Sequence, residues 1–508
     1  MHDPTLPPAP DRRELSRRLR RGSIPRALRR RSQATATNAR IGVDGEHVGL
    51  RELYSQTGVL AATLARKGVD RARPTLLAAP TSLDFIRCYL ALLAVRSPVV
   101  LANPSATAAE LEAQIAAATV SAAITGGEAT DTLAGLTAGT SVAHWPIAGL
   151  DYSGGGTVPH AHLPRSADVA IHAFTSGTTG APKLAPLRHG DVQASIRSAM
   201  AAWRWRPNDV VVHALPMYHQ HGLGALHAAV LSGSSLHCLS RFDPERLVQE
   251  AQRRRASVIF AVPAMWERIV GTHTTIDAPG LRLAISGSAP LPAALFERIN
   301  DVLGMPPLER YGTTESGLNV SNLYDGPRHP GGVGFPLPGV EVSIDGNTGE
   351  LSVRGPQVFS GYAGRAPLGD GEWFATGDQA EVDPATGAVT ITGRLKDIII
   401  TGGMNVHPRE VEDVLAAHPA VDGVAVAGVP STRWGEEVTA FVVSARGFTE
   451  EELRRWCRLR LSGFKVPKRF HAIEELPRNP MGKVLRSELS GRGGALRAHR
   501  TGGGPGEE

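Results

Sequence analysis

Three cysteines in 508 residues, Cys88, Cys238 and Cys457, are too few for a disulfide framework and form no C-x-x-C pair. Neither a stapled secreted scaffold nor a structural zinc site is indicated, and a cytoplasmic location is the default expectation. Long apolar runs are missing too: even the stretch 85–95 is broken by Arg87, short of the roughly 18 residues a membrane span needs. Glycine (56) and proline (37) stay below the level of a low-complexity chain. Lysine is scarce, with six (Lys67, Lys183, Lys396, Lys465, Lys468, Lys483) against 48 arginines. A chain so biased to arginine keeps lysine where a compact, flexible point charge serves and a planar fork does not. What remains is a chain 42% hydrophobic and 20% charged, long enough at roughly 150 residues per domain for two to four folded domains.

The net charge of +5 and pI near 9.3 raise the question of a nucleic-acid partner. Residues 12–31 hold ten arginines and one glutamate, a local charge of +9 that leaves −4 for the rest. The basicity belongs to one terminal segment rather than to a face of the body, so no nucleic-acid partner is expected. Residues 1–35 read as a basic, disordered arm.

From about 49 to 310 short apolar runs alternate with amphipathic stretches: strands near 75–80, 98–102, 168–174, 209–215, 256–262 and 281–286, and helices near 82–96, 106–118, 189–203, 222–231, 244–255 and 292–303. Such alternation predicts an α/β body of doubly wound parallel sheets. Its ligands are expected outside the carboxyl ends of the strands. Between 331 and 392 short alternating strands with Gly and Pro turns predict a small β-rich subdomain. The N-terminal body is thus placed at 36–393. A small α+β domain follows over 394–490, and the Gly-rich, charged residues 491–508 read as a disordered tail.

The segment Phe174-Thr175-Ser176-Gly177-Thr178-Thr179-Gly180-Ala-Pro-Lys183 follows a predicted strand and precedes a predicted helix. Its glycines let the backbone approach a polyanion, its hydroxyls and amides can donate to phosphate oxygens, and Lys183 supplies charge. It is not the common G-x-x-x-x-G-K-[ST] loop, because no hydroxyl follows Lys183.

With this loop, Tyr311-Gly312-Thr313-Thr314-Glu315-Ser316, Thr376-Gly-Asp378, Gly393-Arg394-Leu-Lys396-Asp397 and Pro480-Met-Gly-Lys483 occur in order. The chain resembles the AMP-forming adenylating enzymes: acyl-CoA synthetases, adenylation domains of peptide synthetases, and luciferases. The resemblance implies a two-step reaction: a carboxylate attacks ATP, releasing pyrophosphate, and the acyl-adenylate then passes to a thiol such as coenzyme A. It implies that Tyr311 stacks on adenine, Thr314 contacts phosphate, Glu315 holds Mg²⁺, and Asp378 accepts the ribose hydroxyls. Lys483 would bridge carboxylate and α-phosphate. Lys396 would be the hinge within 394–397 about which the second domain turns, presenting Gly402-Gly403 as the passage for the pantetheine arm.

Acid choice is expected to depend on His219, on Ser286-Gly287-Ser288 and on Arg310. No aspartate stands between 216 and 224, which disfavours an amino acid. An arginine before the motif tyrosine could grip a second carboxylate bidentately, and the pocket resembles that of malonyl-CoA synthetases, although Thr313 stands where those normally carry methionine. An ion pair between Arg310 and a neighbouring carboxylate is the competing reading. Three alternatives stay open at this point: transfer to a carrier protein or an amine, activation of nitrite for diazo formation, and a non-catalytic binding protein. The last has no need of Lys183, Glu315, Asp378, Arg394 and Lys483 together.

Overall fold

The structure is a computed structural model that describes residues 12–34, 38–69, 71, 73–152, 162–175, 183–431, 433–479 and 482–491. A six-stranded sheet runs in the order Ala143–Pro146, Ala122–Thr125, Thr75–Ala78, Val99–Leu101, Val169–Thr175, Lys183–Arg188. All its neighbours pair parallel except the last two. The parallel middle of a thirteen-stranded sheet runs Leu308–Thr313, Leu283–Ser286, Val258–Ala261, Val210–His213, Ser235–Cys238, Arg40–Val43. Thr75–Ala78, Ala122–Thr125, Val258–Ala261 and Leu283–Ser286 are buried at every residue. Parallel strands covered on both faces need this, which is why they read as continuous apolar runs. Helix starts follow local chemistry: the Ser82 hydroxyl accepts from the Phe85 amide at 3.0 Å, and Thr107 with Glu110 forms a capping box.

Three outcomes bear on the sequence expectations, two of them corrections. First, residues 12–34 are not a free arm: Arg12–Leu19 and Ile24–Ser32 are helices, and Ile24 and Leu28 are fully buried in the main core. Their arginines bond to backbone oxygens of the body: Arg20 to Pro356, Arg26 to Leu163 and Pro164, Arg31 to Leu231. Second, the strands expected of a β-rich subdomain between 331 and 392 are present and joined to the body. They run on antiparallel from Leu308–Thr313 through Gly317–Ser321 as one hydrogen-bonded sheet. Third, a short strand, Lys183–Arg188, intervenes between the phosphate-loop segment and the helix His189–Ala202, and its first residue pairs with Thr175.

A separate sheet ordered Met404–Val406, Ile399–Thr401, Gly435–Val443, Gly423–Ser431, with Arg469–Ala472 on Gly435–Val443, carries the helices Pro408–Ala416 and Glu450–Arg458. It has its own core, including Val411, Leu415, Val426 and Phe470. Among the described residues no helix is long and apolar enough to cross a membrane. The three cysteines are buried and unpaired.

Candidate active site

The carboxyl ends of Val169–Thr175, Val210–His213, Leu283–Ser286 and Leu308–Thr313 open onto one cavity of about 780 Å³. Thr175, Lys183, His219, Ser288, Arg310, Gly312, Thr313, Thr314, Glu315, Asp378, Arg394, Lys396 and Lys483 all line it. Residues from six separated stretches of sequence therefore meet, as the switch-point geometry of α/β sheets allows. Ser176, Gly177, Thr178, Thr179 and Gly180 lie outside the described residues.

On the side that carries Glu315 and Lys183, the Tyr362 hydroxyl donates to Glu315 Oε1 at 2.7 Å, and the Lys183 ammonium lies 5.3 Å from the centre of the Tyr362 ring. Gln220 Nε2 donates to the Thr314 carbonyl at 3.3 Å, and the Thr313 and Ser316 hydroxyls are 2.8 Å apart. A side chain at Gly312 would put its Cβ 2.1 Å from the Gly317 carbonyl oxygen, so only glycine permits this bulged crossing of the two strands.

Asp378 is buried, 3% exposed, and holds Arg394 Nε at 2.7 Å through one oxygen and the Tyr311 hydroxyl at 2.7 Å through the other. Each carboxylate oxygen keeps a further lone pair for a ligand. Burial and the neighbouring carboxylate raise the Tyr311 phenol well above its ordinary pKa. Tyr311 itself does not line the cavity. Lys483 shares the cavity with Lys396 and Asn479. Burial, then the nearby Arg394, lowers its pKa to about 8.

The side around Arg310 is built differently. Arg310 is partly buried, its pKa is lowered to about 10 by burial with no carboxylate opposing the shift, and its Nε has no hydrogen-bond partner among the described residues. The ion-pair reading of Arg310 finds no partner there. Gly287 makes its position possible, because a Cβ at 287 would lie 2.6 Å from Arg310 Nε. Ser286 and Gly287 sit behind the wall, and Ser286 is fully buried with its hydroxyl unpartnered. Ser288 takes a left-handed backbone (φ +72), a strained state for a non-glycine residue, and its hydroxyl is 3.0 Å from His221 Nδ1. Burial holds His219 at about 4 and His221 well below the usual histidine range, so both rings are neutral at pH 7. Neither is suited to act as a base.

Gly402 and Gly403 form the turn between Ile399–Thr401 and Met404–Val406, with the Gly402 amide donating to Trp434 O at 2.8 Å; they do not line this cavity. Sequence reasoning missed Tyr362, Gln220 and Asn479. Tyr362 follows Gly361 in a turn-rich stretch, a signal too weak to find it. Gln220 lies between the two histidines of the segment expected to shape acid choice, and no spacing singles it out from them.

The cavity joins a half lined by Lys183, Thr314, Glu315 and Asp378 to a half bearing Arg310, whose Nε has no partner among the described residues. A family model described as AMP-binding enzyme matches residues 24–363, and one described as AMP-binding enzyme C-terminal domain matches 410–483. A malonate–CoA ligase, ACSF3 of Mus musculus, is 36% identical over 63% of this chain; the aligned part spans 64% of that enzyme's length. A long-chain-fatty-acid–CoA ligase of Escherichia coli O157:H7 is 33% identical over 88% of this chain and 90% of its own. The crystal structure of ATP-bound MatB from Rhodopseudomonas palustris superposes with a TM-score of 0.82 at 32% identity, covering 92% of this chain and 98% of that one. The apo form of MatB gives 0.71, so the arrangement here is nearer the nucleotide-bound form. This chain belongs to the AMP-binding enzyme family, the adenylating enzymes whose ordered motifs its sequence carries.

Proposed function

We propose that the protein is an ATP-dependent acid–CoA ligase that activates a small, malonate-like dicarboxylate as its acyl-adenylate, releases pyrophosphate and transfers the acyl group to coenzyme A. The observation that carries the choice of acid is Arg310, a partly buried guanidinium with no carboxylate of the protein beside it. A buried cation is costly unless an anion joins it, and a planar fork matches a carboxylate bidentately.

The chemistry follows from charge. Carboxylate and triphosphate repel, so the site must neutralise both and hold them in line. Arg310 takes the distal carboxylate, with the Ser288 hydroxyl and the neutral His219 and His221 beside it as uncharged hydrogen-bonding groups. The reacting carboxylate is then directed at the α-phosphate. Lys183 and Thr314 face the phosphates, and Asp378 takes the ribose. Lys483 lies between carboxylate and α-phosphate and meets the negative charge that builds as the new bond forms. Glu315 fits Mg²⁺: one of its oxygens accepts from Tyr362, and a site with one protein carboxylate is what this ion uses when substrate phosphates complete its shell. When bound, the ion would neutralise phosphate charge. For thioester formation the smaller domain turns about Lys396, withdrawing Lys483 and bringing Gly402-Gly403 toward the site.

The test is pyrophosphate release across a panel of acids, with coenzyme A or a holo carrier protein added separately and the thioester read by mass spectrometry. Release with malonate or methylmalonate and a CoA thioester are expected. Silence toward both, with a strong response to an aryl or fatty acid, removes the dicarboxylate claim.

A further inference from the structure

We propose that the cavity has a second, apolar arm that takes a hydrocarbon branch on the acid, so that the preferred substrate is a dicarboxylate substituted by an alkyl chain at the carbon between its carboxyl groups. This rests on the dicarboxylate reading above and extends it to the rest of the acid.

The arm lies between two helices. His189–Ala202 turns Val192, Ile196, Ala199 and Met200 toward the cavity, the three-and-four spacing of a single helix face. Gln220–Ser232 answers with Gly224 and Ala228. From Val192 to Met200 this wall is about 12 Å long at 1.5 Å per residue, far more than the carbon skeleton of malonate spans. Among the described residues the arm carries no free charge that would repel a hydrocarbon. Asp191, at the start of the first helix, is engaged by the Arg188 amide at 3.0 Å and by Arg20 at 3.4 Å. His227, also on the wall, faces the Tyr89 hydroxyl at 2.9 Å, and burial keeps it neutral, with its pKa lowered to about 3. At Gly224 the two helices already stand close: a Cβ there would lie 3.5 Å from Ile196 Cδ1, in ordinary contact, so a methyl fits and a longer side chain must push Ile196 aside or enter the cavity. With malonate alone these apolar walls would face unfilled space and forfeit their contacts, whereas an alkyl branch fills it.

The experiment measures kcat/KM for pyrophosphate release with malonate, methylmalonate, butylmalonate, hexylmalonate and hexanoate, for the unaltered chain and for Gly224→Leu and Met200→Ala. Each added methylene is expected to raise kcat/KM roughly fourfold until the arm is full. Gly224→Leu should abolish that gain and leave malonate unchanged, while Met200→Ala should move the optimum to a longer branch. Acceptance of malonate with rejection of butylmalonate overturns the arm and leaves the dicarboxylate reading standing. Acceptance of hexanoate with rejection of every dicarboxylate overturns both. If Gly224→Leu loses malonate activity as well, the optimum of Met200→Ala decides, and an optimum that does not move overturns the arm.

Discussion

Two arginines line one cavity in opposite surroundings. Arg394 is locked to the buried Asp378 at 2.7 Å, whereas Arg310 faces the same space with no carboxylate partner among the described residues. The first is a piece of scaffold whose charge is already spent on orienting the carboxylate proposed to take the ribose. The second is charge held in reserve for something that arrives from solution. Counting cations in a site therefore says less than asking which of them the protein has itself neutralised.

Lys483 is the sharpest test of the contrast, since it is the cation brought in by the smaller domain. Lys483→Ala is expected to lower adenylation by on the order of 10²–10³, the range for removing a group aimed at developing charge, while thioester formation from pre-made acyl-adenylate survives. Measuring the half-reactions separately checks this; equal loss in both would place the lysine elsewhere. Arg310→Gln should cost on the order of 10² in kcat/KM for dicarboxylates and little for monocarboxylates, with no loss of thermal stability. Arg394→Gln should act on every acid alike and lower Tm, by roughly 2–4 °C for each kcal/mol of the lost pair. Identical acid profiles for the two variants would erase the distinction between them. The smallest effect is in pH. With its pKa lowered to about 8, Lys483 carries its proton below that pH and loses it above, so kcat/KM for adenylation should fall as pH rises through about 8. Lys483→Arg should remove that descending limb from the profile.

Much of this architecture could be read from the residues. Strands such as 258–261 and 283–286 announce themselves because sheets covered on both faces leave no place for polar side chains. The motif residues were legible because phosphate and ribose chemistry permits few substitutes. What stayed hidden depended on distant partners. Tyr362 matters through its hydroxyl on Glu315, 47 positions away, and no local spacing encodes that. Residues 24–28 were misread because arginine dominates their surroundings. The signals of a buried helix were nonetheless present in the Ser23 cap, Pro25 in the first turn, and Ile24, Ala27 and Leu28 on one face.

That misreading has a practical side. Arg31 places both Nε and a terminal nitrogen on the Leu231 carbonyl, at 3.0 and 2.7 Å, bracing the rear of the very helix whose front end presents His219 and His221. Anyone trimming the first 35 residues as dispensable would remove a strut from behind the specificity pocket, and the damage would surface as altered substrate preference far from the cut.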